Sequence, residues 1–339
     1  MLIRAKAPLR ISFAGGGTDV APFPEREGGL VLNATINRYA YGTLCPRSDE
    51  KITIHSHDYG SSLELAPREV PIFDGKLDLA KAAIRRFAGH DAGGFDLVLY
   101  SNAPPGSGLG ASSAMMVALI GVLKEFASVP LTDYELAEMA HTIEREELGI
   151  RGGRQDEYAA VFGGFNYIEL RGDHVIVNPL RVANDTVLEL EHNLLLCYTG
   201  NTRQGDHIIE DQTRRFVEGD ADAVAGLNAQ KELARQLKDA LLQGRLGDFG
   251  ELLDSAWQTK KLLSPRISND HIDELYAQAR EAGAIGGKVA GAGGGGYLLL
   301  YCGDDRKHAV AARMQELGAS VSDFAFEGSG LRTWRANGA

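Results

Sequence analysis

The sequence has 339 residues, which is long enough for two domains or for one large α/β unit with an appendage. Its formal net charge of -11, without a long run of Lys or Arg, argues against a nucleic acid or a membrane surface as partner. The three cysteines lie far apart and form no Cys-x-x-Cys pair, so neither a disulfide framework nor a zinc site is predicted. No secretory signal or membrane-spanning apolar segment is recognised, and we expect a cytoplasmic protein.

Short strands and two helices are predicted in the first half, which is typical of a mixed α+β domain reaching about residue 180. The strand-like runs are residues 30–32, 52–55 and 95–100. Residues 112–126 are apolar on nearly all sides, which predicts a helix buried over most of its surface. A second helix is predicted to begin at Thr132, because Thr-Asp-Tyr-Glu is a capping-box pattern.

The second half is predicted to be more helical. Residues 206–263 contain many good helix formers and no proline, and this segment is expected to open a second domain. A further helix is predicted to end at Gly283, followed by a buried strand over residues 297–302. A last helix, over residues 305–317 and stopped by Gly318, should lead to an alternating strand over residues 321–326.

A loop rich in glycine and serine joins the strand at 95–100 to the buried helix. Its glycines allow backbone N–H groups to converge on an anion, and the helix dipole favours phosphate there. Three glycines and two serines at a helix start exceed what an ordinary turn needs, so we interpret the loop as a nucleotide-binding loop. The residues assigned to this role are Pro105, Gly106, Ser107, Gly108, Leu109, Gly110, Ala111, Ser112 and Ser113.

Two other phosphate-binding motifs are weaker interpretations of this sequence. Gly106, Gly108 and Ala111 satisfy the dinucleotide pattern, but the acid expected about twenty residues later, Glu125, lies inside the helical run. A P-loop needs Gly-Lys followed by Ser or Thr, whereas Lys288 is followed by valine. A nicotinamide-dependent oxidoreductase is therefore a distant alternative.

Three segments together resemble the signatures of the GHMP kinase family, which includes galactokinase, homoserine kinase, mevalonate kinase and phosphomevalonate kinase. The first is Pro-Leu-Arg-Ile-Ser-Phe-Ala-Gly-Gly-Gly-Thr-Asp at residues 8–19, the second is the nucleotide-binding loop, and the third is Lys-Val-Ala-Gly-Ala-Gly-Gly-Gly-Gly-Tyr at residues 288–297. The resemblance implies a two-domain α+β fold with the active site between the domains. An N-terminal ATP-binding domain of the ribosomal protein S5 domain 2-like type would span residues 1–185, and a ferredoxin-like C-terminal domain would span residues 186–339.

The resemblance also implies two catalytic residues. Asp156 matches the family's catalytic aspartate, which accepts the proton of the substrate hydroxyl, and Arg10 matches the arginine that lies beside it. From the sequence alone, the cap of a helix that starts near it is the better explanation of an aspartate at this position, and the family match reverses that preference.

Mg²⁺ prefers oxygen ligands, and the resemblance implies that Ser112 and Glu144 supply them. On a helical wheel Glu147 lies nearer the centre of the apolar stripe than Glu144, so the choice of inward-facing carboxylate stays open. A His-x-His pair, His55 and His57, lacks a third ligand and is interpreted as two ordinary histidines.

A set of residues near the motifs is expected to contact the substrate, with Asp19 matching the family position that binds sugar hydroxyls. Arg203 is the leading candidate for a substrate phosphate, although an ordinary surface arginine is an equal interpretation. The whole set is Lys6, Gly17, Thr18, Asp19, Gly153, Arg203 and Gly293.

The function implied is an ATP- and Mg²⁺-dependent sugar kinase. Gly-Gly-Gly-Thr-Asp at residues 15–19 is more similar to the heptose-phosphate and fucokinase-like members of the family than to galactokinases. The expected substrate is D-glycero-D-manno-heptose 7-phosphate, phosphorylated on its anomeric hydroxyl. A fucokinase-like sugar 1-kinase and a non-catalytic sugar sensor are the alternatives, and a homodimer is kept as a candidate assembly.

Overall fold

The computed structural model describes residues 1–66, 69–87, 93–200, 205–303 and 305–337. Its strands are β1 (Leu2–Ala14), β2 (Gly29–Pro46), β3 (Ile52–Ser56), β4 (Ser61–Leu65), β5 (Phe95–Ser101), β6 (Phe165–Arg171), β7 (His174–Pro179), β8 (Leu194–Tyr198), β9 (Ala284–Val289), β10 (Tyr297–Cys302), β11 (Ser320–Ser322) and β12 (Arg332–Ala336).

The helices lie between these strands. They are α1 (Phe23–Glu27), α2 (Asp78–Phe87), α3 (Ala111–Ala127), α4 (Asp133–Thr142), α5 (Gln155–Phe162), α6 (Asn184–Asn193), α7 (Asp206–Val217), α8 (Ala221–Leu242), α9 (Leu246–Lys261), α10 (Asp270–Ala282) and α11 (Lys307–Glu316). A π-helical turn, Ile143–Glu147, follows α4 directly.

The described strands form two sheets. The first has the order β12-β1-β2-β5-β3-β4, with β6 paired to β2 and β7 paired to β6. The second has the order β11-β8-β10-β9, and β10 is buried along its whole length. Within the first sheet the β3–β5 pair is parallel, so the chain must cross over between these strands, and α2 lies in that crossover.

Strand β1 carries the first glycine motif into the middle of the molecule. Burial alternates from Leu2 to Lys6 and becomes continuous from Ala7 to Ala14, as expected when a strand is covered on both faces. Helices α3 and α5 pack against this strand, and so do α8 and α9 from the second half of the chain. The Phe13 ring lies 5.3 Å from the Phe249 ring of α9, so the halves share one apolar core.

Several predicted elements are confirmed. Helix α3 is buried from Ser113 to Leu123, and α4 begins with a capping box between Thr132 and Glu135. Helices α7, α8 and α9 occupy the segment predicted to be helical, and α10 ends at Gly283 in the left-handed conformation (φ 118°). None of the described helices combines the length and the apolarity that a membrane span requires.

The strand predicted over residues 321–326 is wrong in extent. Strand β11 ends at Ser322, and the chain then crosses to the first sheet, where Phe326 forms a bridge with Ile36 and its ring packs 4.6 Å from that of Phe165. The aromatic residues of this segment, Phe324 and Phe326, are therefore explained by packing against the apolar core and not by a long strand. The chain continues into β12, which pairs with β1, while the division at residue 185 stays a prediction.

Candidate active site

A central cavity of about 220 Å³ lies where the three glycine-rich segments meet. Residues far apart in the sequence line it, and the strands and helix termini of both halves position them. The lining residues used below are Arg10, Ser12, Gly17, Asp19, Ser112, Glu144, Gly153, Gln155, Asp156, Lys260 and Gly291. Asp156 and the ten other residues named here therefore line the same cavity.

The second and third glycine segments are packed directly against each other. A Cβ atom added to Gly108 would lie 2.4 Å from the Ala290 carbonyl oxygen, and one added to Gly291 would lie 2.6 Å from the Gly108 Cα. Both glycines have positive φ, and no other residue would allow this approach. The Tyr297 N–H also donates to the Ser107 carbonyl oxygen at 3.1 Å. The third glycine-rich segment thus packs against the nucleotide-binding loop and stabilises its conformation.

Asp156 and Arg10 form an ion pair at the edge of the central cavity. Arg10 Nε donates to Asp156 Oδ1 at 2.7 Å, and a terminal guanidinium nitrogen lies 2.6 Å from the same oxygen. The other terminal nitrogen donates to the Gly108 carbonyl oxygen at 2.6 Å, which fixes the guanidinium. The Asp156 side chain stays 21% exposed, and the N-cap of α5 is Arg154, so Asp156 does not cap the helix.

Asp19 lies deeper in the same cavity. Its carboxylate accepts hydrogen bonds from the Gly17 N–H (3.0 Å), the Gln155 N–H (3.2 Å) and the Gln155 side-chain amide (3.1 Å). A Cβ at Gly153 would lie 1.9 Å from Asp19 Oδ2, so glycine is needed there. Burial, and then the nearby charge of Asp156, raise the pKa of the Asp19 carboxyl.

Glu144, and not Glu147, faces the central cavity. The Ser112 hydroxyl donates to Glu144 Oε1 at 2.6 Å, and Glu144 is fully buried. Glu147 instead accepts from Arg86 Nε at 2.6 Å on the outer surface. The π-helical turn explains why the helical wheel left the choice open, because the Leu148 N–H bonds to the Ile143 carbonyl and shifts the phase of the helix.

Four buried polar atoms of residues that line the cavity have no hydrogen-bond partner within the described residues. They are Ser12 Oγ, Glu144 Oε2, Arg145 Nε and Gln155 Oε1. Buried polar groups are nearly always satisfied in native proteins, so these atoms indicate that the cavity receives a polar ligand.

Lys260, from the last turn of α9, was missed by the sequence analysis. Its side chain is buried, and its ammonium donates to the Gly291 carbonyl oxygen. Burial, and then the charge of Arg10, lower the pKa of Lys260 to about 8. In the sequence this lysine belongs to an amphipathic helix, where a basic residue in the last turn is ordinary.

A second pocket adjoins the central cavity and shares Ser112 and Ile150 with it. This apolar recess has a volume of about 420 Å³ and is lined by side chains that include Leu77, Leu79, Met115, Leu119 and Leu148. The sequence analysis did not predict it. Its walls come from α2 and the turn before it, from α3, from the turn between β3 and β4, and from residues after the π-helical turn, and most of these residues belong to no motif.

Some predicted substrate residues lie outside the central cavity. The Lys6 ammonium lies 4.2 Å above the Tyr39 ring in a separate surface pocket, and Gly293 packs against the backbone of Ile267. The Thr18 hydroxyl is engaged with Gly15 and Leu30 in a fully buried turn. Arg203 lies outside the described residues.

Two family models match the chain. The model for the N terminal domain of GHMP kinases matches residues 78–164, and the model for the C terminal region of GHMP kinases matches residues 237–320. The chain belongs to the GHMP kinase family. It is a phosphotransferase with an alcohol group as acceptor, it has the family's two-domain α+β fold, and ATP is the phosphoryl donor of the family.

Particular relatives narrow the class to sugar kinases. The chain is 39% identical over 337 residues to the D-glycero-alpha-D-manno-heptose 7-phosphate kinase of Campylobacter jejuni, with 98% of this chain and 99% of the relative covered. A crystal structure described as a D-glycero-D-manno-heptose 1-phosphate kinase from Bacteroides thetaiotaomicron has a TM-score of 0.83 and 37% identity, covering 99% of this chain and all of the other. A bifunctional fucokinase of Arabidopsis thaliana is 26% identical, with 90% of this chain and 30% of the relative covered.

Proposed function

We propose that the protein transfers the γ-phosphoryl group of ATP to the anomeric hydroxyl of D-glycero-D-manno-heptose 7-phosphate, which gives the 1,7-bisphosphate. The observation that carries the proposal is the Arg10–Asp156 pair, whose carboxylate remains accessible to a cavity with unpartnered polar atoms. Similarity along almost the full length to the Campylobacter jejuni enzyme supports the choice of sugar.

The donor nucleotide is assigned to the nucleotide-binding loop and the apolar recess beside it. The loop ends at the start of α3, where no side chain caps the helix and the helix dipole favours phosphate. The recess is large enough for a purine base and its walls are mainly apolar, as small-ligand pockets are. Because the recess and the central cavity meet at Ser112, the γ-phosphate would lie at the junction.

Mg²⁺ fits the residues at that junction. Glu144 Oε2 is a buried carboxylate oxygen without a partner among the described residues, and the Ser112 hydroxyl adjoins its other oxygen. Ser112 and Glu144 would therefore hold the ion, which supplies charge neutralisation for the nucleotide phosphates when bound.

Asp156 would act on the acceptor hydroxyl. As the bond between the anomeric oxygen and the γ-phosphorus forms, the bond from that phosphorus to the β,γ-bridging oxygen breaks and ADP leaves. The hydroxyl proton passes to the Asp156 carboxylate, which Arg10 holds in one orientation. Asp19 and the Gly153 backbone would contact hydroxyl groups of the sugar ring, because they line the same cavity.

A coupled ADP-release assay tests the proposal, with product phosphorylation mapped by ³¹P NMR. Acceptors would be both anomers of heptose 7-phosphate, heptose 1-phosphate, L-fucose and galactose. We expect the highest kcat/KM with a heptose 7-phosphate anomer and a new phosphate on the anomeric oxygen. Preference for heptose 1-phosphate or for free fucose would contradict the substrate, and the absence of sugar-dependent ADP release would favour a sensor.

A further inference from the structure

Lys260 is a buried cation of the central cavity that belongs to none of the three glycine-rich segments. It lies at the end of α9 and is 4% exposed. Its ammonium donates to a neutral partner, the Gly291 carbonyl oxygen, and it forms no ion pair within the described part of the chain. Its electrostatic neighbours are Arg10, Asp19 and Asp156, so it lies close to the reacting end of the cavity.

The cations at the cavity wall differ in their partners. Arg145 has Glu157 at 2.7 Å and Glu144 at 3.9 Å, whereas no carboxylate among the described residues lies within ion-pair distance of Lys260. Arg10 already pairs with Asp156, and the Asp19 oxygens accept from Gly17 and Gln155. A buried charge without an opposite charge close to it is costly, so an ammonium without an ion pair beside a polar cavity indicates an anionic ligand.

Lys288 is a second buried lysine nearby, but it does not face the cavity. Its ammonium donates to the Phe13 carbonyl oxygen at 3.0 Å, it is 1% exposed, and it is not among the residues that line the cavity. Lys288 therefore ties the third glycine segment to β1. Lys260 is the ammonium that an incoming anion would reach.

We propose that Lys260 binds the phosphoryl group as it passes from ATP to the sugar hydroxyl. The inference rests on the proposed function, in which the transferred group lies between Ser112 and Asp156. Charge is spread over the equatorial oxygens of that group, and a preorganised ammonium would stabilise it without reorganisation. The step stays balanced as described above, because Lys260 donates hydrogen bonds and neither gains nor loses a proton.

A purely structural role is the competing explanation. In that case Lys260 would only tether α9 to the third glycine segment through Gly291. Removing a tether lowers thermal stability. Removing an undercompensated cation from a phosphoryl-binding site lowers turnover and leaves stability unchanged or increased, since such sites are built at the expense of stability.

The first experiment compares Lys260→Met with Lys261→Met on the same helix. Lys261 is 32% exposed and lies 3.6 Å from Asp273 and 5.7 Å from the Trp257 ring, so it provides the same charge change away from the cavity. Lys260→Met should lower kcat about 10²- to 10³-fold with Tm not lowered, and Lys261→Met should match the wild type within about twofold. A kcat for Lys260→Met within about threefold of wild type would overturn the proposal.

The second experiment is chemical rescue of Lys260→Ala by methylammonium and ethylammonium, with tetramethylammonium chloride as the salt control. A saturable recovery of kcat by about tenfold or more is expected, because a small ammonium ion can replace the missing side chain. Loss of kcat without rescue, or failure of both variants to fold, would assign Lys260 a structural role and overturn the proposal.

These outcomes are separate from the choice of sugar. Each variant is compared with the wild type on whichever acceptor the wild type uses best. If the wild type prefers a sugar other than heptose 7-phosphate, the substrate proposal fails while the Lys260 comparison keeps its meaning.

Discussion

Asp156 and Glu157 are adjacent residues at the start of α5, but their carboxylates lie in different environments. Successive helical residues point about 100° apart, so one faces the central cavity and the other faces the interior. Asp156 is 21% exposed and pairs with Arg10. Glu157 is fully buried, lies 2.7 Å from an Arg145 nitrogen, and accepts from the Ser113 hydroxyl at 3.2 Å.

The two carboxylates therefore differ in whether they can contact a ligand in the cavity. Burial raises the pKa of Glu157, although Arg145 opposes the shift, and Glu157 has no access to a ligand in the cavity. Its contacts join α3, α5 and the π-helical turn, which carries Glu144. Asp156 keeps access to the cavity. The comparison indicates that a buried ion pair supports the orientation of an accessible one.

The largest effect is expected from Asp156→Asn. The amide cannot accept the hydroxyl proton, so kcat should fall about 10²-fold or more, while the affinity for ATP and the free energy of unfolding change little. Stopped-flow turnover and nucleotide titration measure the two quantities. Unchanged kcat would remove Asp156 from the role of base.

Substitution of Glu157 is expected to change the stability of the protein. Glu157→Ala leaves Arg145 buried without its close partner and should lower the free energy of unfolding by about 3–5 kcal/mol, as measured by urea denaturation. Glu157→Gln should cost less, because a neutral amide can keep the Ser113 contact. If Glu157→Ala were as stable as the wild type but inactive, the division of roles between the two carboxylates would be wrong.

The smallest effect is expected at the proposed metal ligands. Ser112→Ala and Glu144→Ala should each raise the Mg²⁺ concentration for half-maximal activity about tenfold, because each removes one of few protein oxygens. Glu147→Ala is the matched control, since Glu147 pairs with Arg86 outside the cavity. A shift in the control equal to that of Glu144→Ala would place the ion elsewhere.

Much of the fold followed from local patterns in the sequence. The buried helix α3, the capping box at Thr132 and the stop at Gly283 each depend on neighbouring residues, and all three are confirmed. The family resemblance is likewise confirmed. It could be recognised in the sequence because glycine motifs occur where two backbone segments must approach closely.

What the sequence did not reveal depends on distant contacts. The orientation of Glu144 depends on a π-helical turn, which no helical wheel describes. The place of Lys260 in the cavity wall depends on the position of α9 against the third glycine segment, and the apolar recess depends on packing between α2 and α3. The path of residues 323–331 was missed because their burial is provided by the first sheet.

Strand β12 has a consequence for synthesis on the ribosome. It pairs with β1 in a register that joins Leu2 to Ala336, so the side of β1 that does not pair with β2 is covered by residues translated long after β1 itself. At typical elongation rates this side of β1 stays open for roughly tens of seconds, and open strand edges are sites of intermolecular pairing. A nascent chain that contains β1 but not yet β12 therefore exposes this side of β1 to pairing with other chains.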